Sequence, residues 1–177
     1  MKRVLKRLDK VHEKLTATVA PLAEGLFTRQ PADGGWSVAQ ILQHLCLVEE
    51  RVIKDLEKAV SRPPRKVSFV KRLVPTSIVS SRLVRVKAPQ AVNPEAKAGS
   101  EEVIAIPGKD EAIANYNRAR NDLKNLCATQ GNDRFRQIVF KHPFLGEIDG
   151  VAAVSFIGYH ELRHYKQIRE VLRKLGN

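Results

Sequence analysis

His160 and His164 stand four residues apart in a stretch with helical periodicity, so their imidazoles project from one face, one turn apart, where both can bind a single ion. Helical steps from the pair reach Ala153, Phe156 and Ile157 on one side and Ile168 and Val171 on the other. This apolar stripe, interrupted only by the two histidines, predicts that they face the interior. His44 has a similar setting among Ile41, Leu42, Leu45, Leu47 and Val48, with Gln40 one turn earlier, and is also predicted to point inward. Three neutral imidazoles on facing helices suit a divalent ion, and with no carboxylate or thiolate they leave its charge uncompensated and at least one position open. Such a position can hold water with its pKa lowered toward ~7, or a thiol as thiolate. The bland alternative is a core cluster satisfied by ordinary protein partners, and spacing alone does not separate the two. The run His160-Glu161-Leu162-Arg163-His164 also meets the bare pattern H-E-x-x-H, in which the glutamate of a zincin peptidase is the general base. The charged Arg163 within it and a third ligand as distant as His44 weigh against a peptidase.

Four predicted helices would carry these residues. Leu5, Leu8, His12, Leu15, Val19 and Leu22 line one face of a first helix, with Gly25 as its expected end. Ser37 and Gln40 match a capping box opening a second helix from about Val38 to Val60, stopped by Pro63-Pro64. A third is expected from about Asp110 to Ala128, with Ile113, Tyr116, Leu123 and Leu126 or Cys127 inward and Gly131-Asn132 at its end. Residues Phe135 to Phe140 read as a short extended run before a turn at His142-Pro143. The last helix begins near Asp149 and runs to about Leu175. Residues 62–108 hold six of the nine prolines, which excludes long helices there and predicts an irregular crossover between the second and third helices. The expected fold is all-α, a four-helix bundle forming one domain over residues 1–177.

Composition narrows the functional classes. With 43% hydrophobic and 28% charged residues the chain can build a core and is not a disordered segment. The net charge of +12 resides in two segments, residues 1–14 at net +4 and residues 62–97 at net +8, and the remainder is balanced. Such patches attract phosphates or acidic partners without regard to sequence, but Phe69 is the only aromatic in the longer one, which disfavours a base-stacking platform. No Walker-type phosphate loop occurs. Cys46 and Cys127 form no disulfide framework and read as small buried hydrophobes in a reducing compartment. The charged start from Met1 to Lys10 leaves no room for a secretion signal's apolar core. The longest uncharged stretch, Gly34 to Val48, falls short of the ~20 apolar residues of a membrane span. A cytoplasmic protein is expected.

Three segments carry a family resemblance: Trp36-Ser37-Val38-Ala39-Gln40-Ile41-Leu42-Gln43-His44-Leu45, the turn His142-Pro143-Phe144-Leu145-Gly146, and the run from His160 to Ile168. In this order they resemble the signature segments of the DinB/YfiT-like superfamily. The resemblance implies a four-helix bundle binding one divalent ion per chain, zinc or nickel, on one histidine of the second helix and two of the last, which here are His44, His160 and His164. It implies thiol-dependent S-transfer, a related isomerisation or hydrolysis, and pushes peptidase activity down. The expected partner is a small-molecule substrate, such as a low-molecular-weight thiol or an anionic compound; a homodimer is compatible with it. Gln40, Gln167 and Glu161 are candidates to support the ligands, His12 to line the pocket, and His142 to form part of the turn. No catalytic residue can be singled out. The rival class is a non-catalytic helical module binding nucleic acid or an acidic partner through the basic patch, and a scaffold that keeps metal only for stability is a third.

Overall fold

The computed structural model describes residues 1–67, 105–142 and 146–176. Most of the expected crossover, and Pro143, Phe144 and Leu145 of the expected turn, lie outside them.

Helix α1, Lys2–Val19, buries Leu8, Val11, Leu15 and Val19 at the predicted three- and four-residue spacing. It ends earlier than expected, because Pro21 has no N–H to extend the ladder. Gly25 instead lies inside the short helix α2, Glu24–Thr28. Helix α3 spans Val38–Val60 and opens on the capping box: Ser37 Oγ accepts from the Gln40 amide at 3.2 Å, and Gln40 Oε1 accepts from the Ser37 amide at 2.9 Å.

Helix α4, Lys109–Phe135, is longer than predicted at its C-terminal end. Gly131, with φ of 72° and ψ of 168°, is non-helical and interrupts α4 where its position predicts an end, and a further helical turn follows across the kink. The redirected last turn drops Phe135 into the core and lets Arg134 donate to the carbonyls of Val60 and Arg62 at the end of α3. At the other end the Glu24 carboxylate accepts from the Lys109 amide at 3.1 and 3.2 Å, supplying a cap from another element.

The extended run falls later than predicted, since Phe135 closes a helix. Strand β1, Val139–His142, pairs antiparallel with β2, Gly146–Asp149, with Val139 opposite Asp149 and His142 opposite Gly146. Helix α5, Gly150–Lys174, follows directly, capped by the Asp149 side chain accepting from the Ala152 amide at 2.8 Å.

The four long helices α1, α3, α4 and α5 form a four-helix bundle in which α3 packs against α4 and α5, and α1 against α5. Its apolar core has two parts. One includes Leu15, Phe27, Ile41, Tyr116 and Ile168, and the other Leu8, Leu56, Leu123, Phe135 and Val154. Between them in sequence, on each long helix, comes a polar residue that is buried or half-buried: His12 on α1, Glu49 on α3, Arg120 on α4 and Glu161 on α5. A polar layer therefore crosses the bundle.

Candidate metal centre

His44 reaches its place on the start of α3, where every residue from Val38 to Cys46 is buried, so its imidazole lies inside the bundle. Across from it α5 presents His160 and His164. The ring centroids lie 5.2 Å apart for His44 and His160, 4.8 Å for His44 and His164, and 4.6 Å for His160 and His164. Each ring offers one nitrogen, and all three nitrogens fall within 4.8 Å of one another. Trp36 tilts over His44 at 5.3 Å and Phe156 stacks beside His160 at 6.4 Å, so aromatic surface screens the cluster.

The hydrogen bonding of these rings is incomplete in an informative way. His164 Nδ1 lies 2.8 Å from Gln167 Oε1, and because that oxygen can only accept, the proton sits on Nδ1 and Nε2 keeps a bare lone pair. That Nε2 is buried with no hydrogen-bond partner. His44 Nε2 and His160 Nε2 face each other at 3.3 Å. Two nitrogens bound to a tetrahedral ion at ~2.0–2.1 Å stand ~3.3–3.4 Å apart, so this separation fits a shared cation. An unsatisfied buried acceptor costs roughly 1–3 kcal/mol, and a cation would relieve it. Burial, followed by the charge of Arg163, lowers the His44 pKa to about 4. Burial and then His44 lower that of His164 to about 3, and burial chiefly pushes His160 well below its usual range. All three are thus neutral near pH 7, the form that ligates metal.

The supporting candidates divide. Gln167 touches a histidine of the cluster. The Gln40 side-chain oxygen serves the N-terminus of α3, accepting from Ser37 and, at 2.9 Å, from Gln30 Nε2. His12 belongs to the polar layer, bonded through Nε2 to Asn117 Oδ1 at 2.8 Å and stacked 4.3 Å from Tyr116. Glu161 is turned to α4, where it accepts from Tyr116 Oη and from Arg120 Nη2. The zincin reading of H-E-x-x-H therefore fails on geometry: its would-be general base is bound to an arginine and a tyrosine. His142 ends β1 next to the segment expected to turn, buried, with its ring edge-on to Phe156 at 4.0 Å, and Phe156 in turn stacks beside His160.

Sequence reasoning missed Glu49 and Arg120. Arg120 Nε donates to Glu49 Oε1 at 2.8 Å while Nη2 reaches Glu49 Oε2 at 3.2 Å and Glu161, so one guanidinium ties α3 to α5. Burial works against its charge, but Glu161 and Glu49 outweigh burial and its pKa is raised. Burial raises the Glu49 carboxyl and takes Glu161 up to about 7 against the pull of Arg120. The available signal was positional: Glu49 falls on the stripe of Leu42, Leu45, Ile53 and Leu56, and Arg120 on that of Tyr116, Leu123 and Cys127.

The sequence profile of the DinB superfamily matches residues 7–168. The chain belongs to the DinB superfamily. The uncharacterized protein YuaE of Bacillus subtilis (strain 168) is 25% identical to it over 154 residues, which are 87% of this chain and 88% of YuaE. Among solved structures, YfiT of Bacillus subtilis matches with a TM-score of 0.67 at 17% identity, over 99% of this chain and 87% of YfiT. YfiT is described as a probable metal-dependent hydrolase with an unusual four-helix bundle topology. The four-helix bundle protein TT2238 matches with a TM-score of 0.58 at 21% identity, over 96% of this chain and 98% of TT2238. At these identities the two structures speak for the fold. Among the described residues of this DinB superfamily member, no helix is long and apolar enough to cross a membrane.

Proposed function

We propose that this DinB superfamily protein is a metal-dependent enzyme acting on a small molecule, with His44, His160 and His164 holding one divalent ion, zinc or nickel. The observation that carries the reading is the buried, unpartnered Nε2 of His164 beside the facing Nε2 atoms of His44 and His160. Coordination by three neutral nitrogens would supply Lewis acidity and an open position for water or a thiol.

The chain's own part is to bind, orient and exclude. Gln167 holds the His164 proton on Nδ1 and turns the ring. Trp36 and Phe156 lay aromatic surface against His44 and His160, and burial keeps the imidazoles neutral. No nucleophile comes from the protein's cysteines: burial takes the Cys46 thiol up to about 12 and the Cys127 thiol up to about 11, so neither forms thiolate near pH 7. Water or an external thiol at the open position would serve as the attacking group, which fits hydrolysis or thiol S-transfer as the reaction class. The description of YfiT as a probable metal-dependent hydrolase points the same way.

Metal analysis of the purified protein tests the reading. One divalent ion per chain is expected, falling to a trace in His160→Ala with the helical circular dichroism retained. Folded wild-type protein that takes up neither zinc nor nickel from stoichiometric solutions would overturn it.

A further inference from the structure

Arg7 Nη1 donates to Tyr159 Oη at 2.9 Å, and Leu8 Cδ1 lies 3.4 Å from where a Cβ on Gly158 would stand, so α1 and α5 run side by side. Further along α1, Thr18 lines a groove of about 500 Å³ together with Lys166, Arg169, Glu170, Leu172 and Arg173 of α5. The two helices therefore point the same way and keep one offset. Lys14, seven residues after Arg7, comes level with Lys166, seven after Tyr159, because both helices rise equally.

Arg7, Lys10 and Lys14 follow one another at spacings of three and four on the face of α1 that carries Thr18. Lys166, Arg169 and Arg173 do the same on α5. All six side chains are exposed, and among the described residues none of them forms an ion pair. The nearby acids do not neutralise the row: Asp9 is paired with Lys124 at 3.0 Å, Glu170 with Lys174 at 3.3 Å, and Glu13 with none of the six. Local stability does not explain it either. Like charges one turn apart destabilise a helix, and α1 has no acidic residue in its first turn to complement the helix dipole. That dipole favours Arg173 at the end of α5 and accounts for none of the other five.

A row of cations along a groove fits a repeating anion better than a single one. At ~1.5 Å per residue, the stretch from Tyr159 to Arg173 extends ~21 Å, long enough for several successive phosphates of a strand. An acidic protein would need apolar contact at the centre of its interface, and the groove offers only the buried Leu172. A flat anionic bilayer does not enter a groove. Tyr159 is engaged by Arg7 through its hydroxyl and, at 5.6 Å, through its ring face, so the row reads charge and not bases. From this arrangement we infer that the groove between α1 and α5 binds the phosphate backbone of a nucleic-acid strand without regard to sequence. The surface is separate from the histidine centre and does not depend on the metal reading.

Fluorescence anisotropy of a labelled single-stranded DNA oligonucleotide of mixed sequence tests this on the full-length protein. Lys166→Gln, Arg169→Gln and Arg173→Gln combined should weaken binding by about ten- to a hundredfold at ~0.1 M salt. The slope of log affinity against log salt should become shallower by about two, as for three lost contacts to a single strand. A control combining Lys54→Gln, Lys58→Gln and Arg118→Gln removes the same charge from α3 and α4 and should change both far less. His160→Ala should bind like the wild type. If the first variant loses its helical circular dichroism, Lys14→Gln with Arg169→Gln carries the test, with a slope change of about one. Equal losses in the two triple variants would reduce the effect to net charge and overturn the inference, as would a wild type that does not bind the oligonucleotide. Polyglutamate or phosphatidylserine vesicles that compete as well as unlabelled oligonucleotide at equal charge would also overturn it, in favour of an acidic protein or a membrane.

Discussion

Gln167 Oε1 accepts a hydrogen bond from His164 Nδ1 at 2.8 Å, from a position three residues further along the same helix. The bond decides which nitrogen carries the proton and aims the bare Nε2 at His44 and His160. Because both residues belong to α5, the orientation is built into one element. Gln167→Leu should therefore lower metal affinity by about 10–100-fold, the usual effect of removing such a partner, with little change in stability. Competition with a chelator of known affinity measures the first, and urea melts the second. Unchanged affinity would mean that neighbouring packing alone holds the ring.

Arg120 makes the contacts that join the two ligand-bearing helices, to Glu49 five residues after His44 and to Glu161 directly after His160. Removing only the arginine strands two carboxylates in the core. Arg120→Met should cost about 3–5 kcal/mol, as expected when one partner of a buried ion pair is lost. Adding Glu49→Gln and Glu161→Gln to it should recover a large part of that loss, because the stranded charges are gone. Urea denaturation of the two proteins checks the pair. A triple variant no more stable than the single one would show that packing volume, not charge, is what Arg120 provides.

These two contacts mark how far the sequence could be read. The α3 limits were legible because Ser37 with Gln40, and Pro63 with Pro64, act through local hydrogen bonding and sterics. The three histidines were legible because each lies on an apolar stripe. The polar layer was not, since a single Glu49 or Arg120 on such a stripe resembles a surface residue until its partner, 71 residues away in sequence, is known. Gly25 looks like the end of α1 by its conformational freedom, but Pro21, which cannot extend the ladder, decides it at Val19. Gly131 carries the positive φ of a helix end, yet the chain resumes helically because Phe135 has a place in the core. The strand Gly146–Asp149 is too short to show alternation and exists through its pairing with Val139–His142.

Gly150 opens α5 against the hairpin, and a Cβ there would lie 2.7 and 2.9 Å from Ile138 Cδ1 and Cγ1 and 2.8 Å from Phe135 Cδ1. Both neighbours are buried and cannot move away freely. Alanine ordinarily favours a helix over glycine by ~1 kcal/mol, but overpacking of a core costs ~1–3 kcal/mol and should win here. Gly150→Ala is thus expected to be destabilised in thermal or urea melts. Adding Ile138→Val, which trims one of the opposing carbons, should restore part of the loss. A stabilised single variant would show that the hairpin can shift away from α5.

His12 gives the polar layer a pH signature. Burial, and then the charge of Arg120, lowers its pKa from 6.5 to about 4 in the folded chain. As pH falls through 6.5 the unfolded ring takes up a proton while the folded ring does not, so the unfolded state gains. The stability that His12 contributes is fully present above pH 6.5 and is lost progressively down to about pH 4. His44 and His164 titrate in the same direction, whereas the raised Glu49 and Glu161 carboxyls act oppositely, so the pH dependence of the wild type alone is a composite. The difference between wild type and His12→Gln isolates the one ring. Between pH 5 and 6, the slope of unfolding free energy with pH in metal-free protein should shift by about one proton on removing His12, toward weaker acid destabilisation. Parallel slopes in the two proteins would mean that the His12 imidazole is already protonated in the folded state, through its hydrogen bond to Asn117, and that the layer carries an additional buried charge.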